Sequence, residues 1–314
     1  MSATLSTTEL LTDLLDAFKK QFPMLKFFST DFSSAAAVLN QQVIARVAQL
    51  PSVQSYDATN GYQLNQADAK TLMVDVPVTL NQHKHVPVKI LYLDRIASKI
   101  DLYNEAIGNI GFVLGKSIID YVLGLATATN FSFSNTTTIA NTNRDTLSAI
   151  TKTMNANGAA PVGRWGIVNS DFFNSLDSDI RIASGDYHGQ MREGNAYGRL
   201  TGIAGFEDLV EYPDLPTTGN MTAFFGDKRA FAVVTRLPSD IQNVADLAGI
   251  PSIAAFETVE DPDSGLALLG IKWMAAGTFD VNVTATLLYG AVGGNQGGAG
   301  GAITDKAGLL VKSS

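Results

Sequence analysis

Residues 71–126 read TLMVDVPVTLNQHKHVPVKILYLDRIASKIDLYNEAIGNIGFVLGKSIIDYVLGLA. Two periods meet in this stretch. Leu72, Val74, Val76, Val78 and Leu80 alternate with other residues, and so do Val86, Val88, Ile90 and Tyr92 after Asn81–Lys84. Alternation at period two marks strands. The spacing predicts a hairpin of Leu72–Leu80 against His85–Leu93, with Pro77 and Pro87, which donate no ladder hydrogen bond, favouring edge positions. From Ile96 the period changes. Ile96, Ile100, Tyr103, Ile107, Ile110, Leu114, Ile118, Tyr121 and Leu125 are three or four apart, one stripe of a helix running to Ala126. Thirty residues of helix make a rod of roughly 45 Å. Gly108, Gly111 and Gly115 lie on overlapping faces of it, and each costs up to about 1 kcal/mol in a helix interior. They are candidates for close packing by another backbone. A two-stranded hairpin is marginal alone, so the face of Val74, Val76, Val78, Val86, Val88 and Ile90 is expected to be buried mainly by another subunit, with Lys84 and Lys89 as further contacts.

Outward from this join, residues 6–21 read as an amphipathic helix, with Ser6 and Glu9 at capping-box spacing and Pro23 as its stop. Residues 33–49 read as a second helix on Leu39, Val43 and Val47. After a polar linker, Leu147, Ile150 and Met154 mark a helix ended by Gly158, Trp165–Val168 a core strand, and Ser170 the cap of a helix over Asp171–Asp177. Residues 183–206 read as a glycine-rich loop. Ala223–Phe225 and Ala230–Arg236 read as a hairpin across Gly226–Lys228. Leu266–Ala275 and Val281–Tyr289 form a second antiparallel pair, Gly290–Gly301 a flexible linker, and Ala307–Val311 a terminal strand. There is no βαβ rhythm of a nucleotide-binding sheet.

Composition narrows the function. The 314 residues are 46% hydrophobic, enough for a large core, and carry a formal charge of −8. The acidity is uneven: twelve basic and twelve acidic residues in 1–157, ten and eighteen in 158–314. A chain without a basic patch does not suit sequence-specific nucleic-acid binding. It has no cysteine, which removes disulfides, thiolate zinc sites and thiol nucleophiles. Charges at Asp101, Glu105, Lys116 and Asp120 break the long helix below the length of a membrane span.

The candidate chemistry is thin. His83 and His85 form H-x-H with no third ligand nearby, and His188 is distant in sequence. GAVGGNQGGAGG over 290–301 lacks the G-K-[ST] ending of a phosphate loop. Glu257, Glu260, Asp261 and Asp263 cluster on a loop whose spacing fits neither a calcium hand nor an acid–base pair better than a solvated turn. Arg192, Glu193 and Arg199 suit ligand contacts and inter-subunit ion pairs equally. These observations predict no catalytic residue, no metal and no cofactor.

The ordered set of segments resembles the major capsid proteins of tailed bacteriophages, the family with the HK97 fold. FSSAAAVLNQQVIARVAQLPSVQSYD (32–57) is similar to the stretch from N-terminal arm into the extended loop, and TLMVDVPVTLNQHKHVPVKILYLD (71–94) to the two strands of that loop, the E-loop. IASKIDLYNEAIGNIGFVLGKSIIDYVLGLA (96–126) resembles the spine helix. GRWGIVNSDFFNSLDSD (163–179), YGRLTGIAGFEDLVEYPDLP (197–216) and FFGDKRAFAVVTR (224–236) resemble units of the axial domain and the strands after it.

The resemblance implies an α+β fold with N-terminal arm, extended β-hairpin, long spine helix in a peripheral (P) domain and a mixed α/β axial (A) domain. The implied boundaries are 1–52 for the arm and its helices, 53–94 for the E-loop, 95–144 for the P domain with its spine helix, and 145–222 for the A domain. Residues 223–237 become a strand pair linking A and P domains, 238–262 A-domain loops, 263–290 P-domain strands, and 291–314 the glycine-rich linker and C-terminal strand. It further implies a structural, non-enzymatic subunit of an icosahedral shell enclosing double-stranded DNA, located in the virion after assembly in the host cytoplasm. Its partners would be itself in hexamers and pentamers, a portal, a separate scaffolding protein, packaged DNA held non-specifically, and in some members a decoration protein, with no membrane. Some members crosslink an E-loop lysine to a neighbour's asparagine; Lys84 and Lys89 lie in that element, but no acceptor matches, so non-covalent assembly is expected. An encapsulin-like cargo compartment, an enzyme with an unrecognised carboxylate site, and an adhesin or tail-tube protein are the competing readings.

Overall fold

A computed structural model describes residues 23–48, 56, 58, 73–91, 102–179, 182, 199–239, 253–260, 266–274, 280–297 and 303–314. The expected helix over 6–21 and most of the loop over 183–206 lie outside these residues.

Two sheets enclose one core. The first is organised on strand β13 (Val281–Gly293), which pairs along one edge with β4 (Gln82–Ile90) and along the other with β12 (Ala267–Met274) and then β10 (Phe231–Pro238). Strand β11 (Ile253–Glu260) extends it beyond β12, and β1 (Ser29–Ala37) lies parallel beside β10. The register sorts its residues by face. Val281, Val283, Ala285, Leu287 and Tyr289 point one way, with Val86 and Val88 opposite them on β4, towards helix α1 (Leu102–Gly124). Leu288, Val292, Ala232 and Val234 point the other way.

The second sheet runs β5 (Ser134–Thr137), β14 (Gly308–Ser313), β9 (Met221–Gly226), β6 (Trp165–Val168), β8 (Phe206–Glu211), β7 (Arg199–Ile203). Helices α2 (Arg144–Ala156) and α3 (Ser170–Asp177) cover one face through Leu147, Ile150, Met154, Phe172 and Leu176. The other face joins the shared core. There Trp165 stacks on Phe27 at 5.4 Å, and Phe28, Phe131, Phe224 and Phe231 close around them. The segment Met24–Phe28 is therefore an integral plug of the core, every member but Leu25 and Lys26 being buried.

Helix α1 carries Ile110, Leu114 and Ile118 into the core, as their spacing requires, and Ile119, Val122 and Leu123 as well, because its C-terminal half is enclosed on two sides. At 23 residues it spans about 35 Å; residues 96–101 fall outside the description. A polar clamp ties it to the second sheet. The Lys116 ammonium contacts Asp120 at 2.8 Å and Asp214 at 3.1 Å and lies over the Tyr212 ring, while the Tyr212 hydroxyl donates to Asp120 Oδ1. The hydrogen bond to Asp120 raises the Lys116 pKa, and burial, then the Asp120 contact, raises that of Tyr212.

Several sequence expectations are corrected. The helix expected over 33–49 is two strands, β1 and β2 (Gln42–Ala48). Val43 and Val47 are four apart, which suits both periods; Ala45 between them, buried on the same side, makes the period two. The expected hairpin of Leu72–Leu80 with His85–Leu93 does not form. Strand β3 (Met73–Thr79) pairs with β2, and β4 pairs with β13. Leu80 between them is no turn: it is fully buried, its amide donates to Gln41 O at 2.9 Å, and its carbonyl accepts from Asn40 N. Strands β9 and β10 are not a hairpin either, since they belong to different sheets. Asn169, not Ser170, caps α3, its side chain accepting from Phe172 N. The polar linker after α1 contains strand β5 from Ser134, with Phe131 buried just before it. Gly290–Gly301 is not simply a linker, because β13 continues to Gly293 and a short 3-10 turn follows over Gly294–Gly297.

Gly290 is where the β2–β3 ribbon crosses β13. A Cβ there would be driven into the Thr79 carbonyl. Gly290→Ala is expected to cost about 3 kcal/mol in urea denaturation, at the upper end for overpacking, and to make the ribbon more susceptible to limited proteolysis.

The clamp has a pH signature. Tyr212 and Lys116 hold their protons more tightly folded than unfolded, so their contribution is complete below about pH 10 and is lost as pH rises past it. Tyr212→Phe is expected to destabilise by about 1–2 kcal/mol at pH 8, by losing a hydrogen bond to a charged group. The gap to the wild type should narrow above pH 10, as denaturation at the two pH values would measure.

Candidate functional site

The described residues do not gather chemistry in one place. No group of three or more metal-ligating side chains occurs among them. His83 and His85 share one face of β4; His83 Nε2 lies 3.1 Å from Thr286 Oγ1, which donates to Lys84 O, so this histidine is held in the sheet's own polar network. His188, Asp261 and Asp263 lie outside the described residues, as do Arg192 and Glu193. Glu260 is exposed at the end of β11. Arg199 bonds Asp208 of its own chain, which Lys26 also reaches at 2.8 Å.

The buried charges serve as staples. Asp227 sits where the chain leaves β9 for β10. It accepts from Ala160 N and Arg229 N and pairs with Arg229 Nη2 at 2.7 Å. Arg164 beside it donates to Ala160 O, Ala159 O and Asn155 Oδ1; burial lowers its pKa, and Asp227 opposes that. Arg236 binds Asp31 through both its carbonyl and carboxylate, fixing β1 to β10. Burial is also the main cause that raises the Tyr289 pKa; its hydroxyl donates to Ser117 O at 3.1 Å. Removing one partner of such a buried set is costly because the other charge stays behind.

What remains is surface. Strands β2 and β3 form a two-stranded ribbon with alternating exposure. Its inner face, Val43, Ala45, Val47, Val74, Val76 and Val78, packs on Ala232, Val234, Leu288 and Ile303 of its own chain. This corrects the expectation that another subunit mainly buries the strand faces. Val76 and Val78 are fully buried and Ile90 nearly so, Val74 is half-buried in the ribbon's core, and Val86 and Val88 pack beneath α1. The two sets of valines lie on opposite sides of the first sheet, so they never formed one face. Lys84 is exposed, and Lys89 pairs with Asp280 at 2.8 Å. Gly111 and Gly115 are buried along α1; the surroundings of Gly108 lie outside the description.

The ribbon's outer face is hidden in the sequence because the four-residue spacing of Val43 and Val47 fits a helical period as well. It presents Ile44 and Met73, 57% and 52% exposed, with Pro77 between more polar positions. Further exposed apolar side chains are Val38 and Leu39 at the β1–β2 turn and Val113 on α1. Apolar surface of this kind marks association more than catalysis.

No protein-family model matches the chain, and no curated protein matches it in sequence. Solved structures do. The capsid structure of the cyanophage P-SCSP1u matches with a TM-score of 0.55 and 12% identity, over 92% of this chain and 86% of that one. The capsid of Ralstonia phage GP4 matches at 0.54 and 10% identity, over 91% and 86%. Each match covers more than nine-tenths of this chain, so the chain has the fold of these phage capsid proteins.

Proposed function

We propose that the chain is a self-assembling structural subunit that builds an icosahedral capsid shell around double-stranded DNA. The observation that carries this is the match over nine-tenths of the chain to capsid subunits. The spent state of the buried charges supports it, because the ion pairs hold layers together and leave apolar ribbon and helix surface outward.

In this reading α1 is the spine helix. The first sheet with α1 is the P domain and the second sheet with α2 and α3 the A domain. The E-loop moves relative to the boundaries drawn from sequence. Its base is the β2–β3 ribbon, so the element runs from about 42 to 79 instead of 53 to 94. Strand β4 then belongs to the P domain, and Lys84 and Lys89 leave the E-loop. That removes the two lysines considered for a crosslink and favours non-covalent assembly. Hexamers and pentamers of the chain, a separate scaffolding protein, a portal, non-specific contact with DNA and room for a decoration protein belong to the same proposal. So do residence in the virion and assembly in the host cytoplasm.

The test is negative-stain microscopy and sedimentation of the purified chain, alone and with a candidate scaffolding protein added. Capsomers or icosahedral shells are expected. Tubes, or a monomer under every condition, would overturn the proposal. Uniform small shells that form from the chain alone and load a cargo protein would point to a compartment instead.

A further inference from the structure

The outer face of the β2–β3 ribbon has a charge pattern that is complementary to itself. In an antiparallel pair, residues directly opposite one another share a face. Arg46 is opposite Asp75, Ile44 opposite Pro77, and Ala48 opposite Met73. All six are exposed, and the Arg46 and Asp75 side chains keep 78% and 63% of their surface while 3.6 Å apart. The centre of the face is thus one positive and one negative group side by side, with an apolar pair on each flank.

We propose that this face docks on the same face of a second copy, about a two-fold axis parallel to the strands. Such an axis lays β2 of one copy over β3 of the other without changing the level along the ribbon. Arg46 then meets the second copy's Asp75, and Asp75 meets the second copy's Arg46. Ile44 covers the second copy's Pro77, and Ala48 the second copy's Met73. Two sheets packed face to face sit about 10 Å apart, a gap an arginine side chain reaches across. The four charges form an alternating square in which each has two opposite neighbours. The contact is isologous and closes on itself. Its area is far below what holds a lone dimer together, so it acts as one weak contact repeated through an assembly. The inference rests on the proposed self-assembly but names a contact which that reading does not require.

Charge exchange tests it. Arg46→Asp places two carboxylates opposite two, and Asp75→Arg places two guanidiniums opposite two. Each variant alone is expected to assemble about tenfold less than wild type by light scattering, two lost exposed pairs at up to about 1 kcal/mol each allowing a factor of this order. Mixing the two variants restores both pairs across the axis, since each then meets its opposite. Assembly of the mixture is expected to return to at least half the wild-type extent. Circular dichroism of each variant checks that it folds, and Ile44→Lys should reduce assembly without rescue by either charge variant. Either charge variant assembling like wild type, or a mixture no better than its components, would overturn the two-fold contact. If the wild-type chain forms no oligomer at all, the shell reading itself fails.

Discussion

Strand β13 has to be buried on both faces, and the rest of the molecule follows from that. Twelve of its thirteen residues are buried or pack against a buried cluster, with Asn282 partly exposed. A strand buried on both sides needs a layer above and a layer below. Helix α1 and the Met24–Phe28 plug supply one layer, and the second sheet closes that side. The β2–β3 ribbon supplies the other. At about 25 cal/mol per Å² of apolar surface, burial in both layers stabilises the sheet. The ribbon is therefore not a free arm at its base. It is the lid of the first sheet, and only its outer face is left for other molecules.

This constraint explains which parts of the fold were legible in the sequence. Helix α2 has one dominant period and a local cap, strand β6 is a short apolar run, and β12 and β13 are neighbours in sequence that pair. Leu147, Ile150 and Met154 can only be one face of a helix, and Asn143 completes its capping box with Thr146. The stripe of α1 was equally plain. The pairing partners were not legible, because alternation states that a segment is a strand and is silent on which strand it meets. Val74–Val78 and Val86–Ile90 have the same pattern, yet lie on opposite sides of the sheet. The close spacing of β3 and β4 made a hairpin the simplest topology; the distant β2 and β13 provided more buried surface.

The same limit applies to β9 and β10. Gly226-Asp227-Lys228 looks like a hairpin turn and is instead the crossing between two sheets. Asp227 is legible as a turn residue, but its role depends on Arg229, Arg164 and Ala160, which only the folded chain brings beside it. Gly290 and Gly294 were visible as part of a glycine run, whose composition suggests a linker. Their use is steric: the Thr79 and Asn130 carbonyls occupy the space their side chains would need. Composition reports flexibility where the chain has used smallness.

For the surface this has one consequence. Among the described residues, several charged and polar groups join layers. Lys116, Tyr212 and Asp214 join α1 to the second sheet, Arg236 joins β1 to β10, and Lys26 joins the N-terminal plug to β8. Each staple links elements far apart in sequence. Staples of this kind resist distortion of one layer against another, a stiffness that suits the proposed shell subunit. The ribbon is the complement of that stiffness. It is anchored by Leu80 and Gly290 at its base and offers an outer face with its charges paired but exposed. Rigid bodies joined through small, reversible surface contacts can correct errors during assembly and still be held firmly once every contact is made.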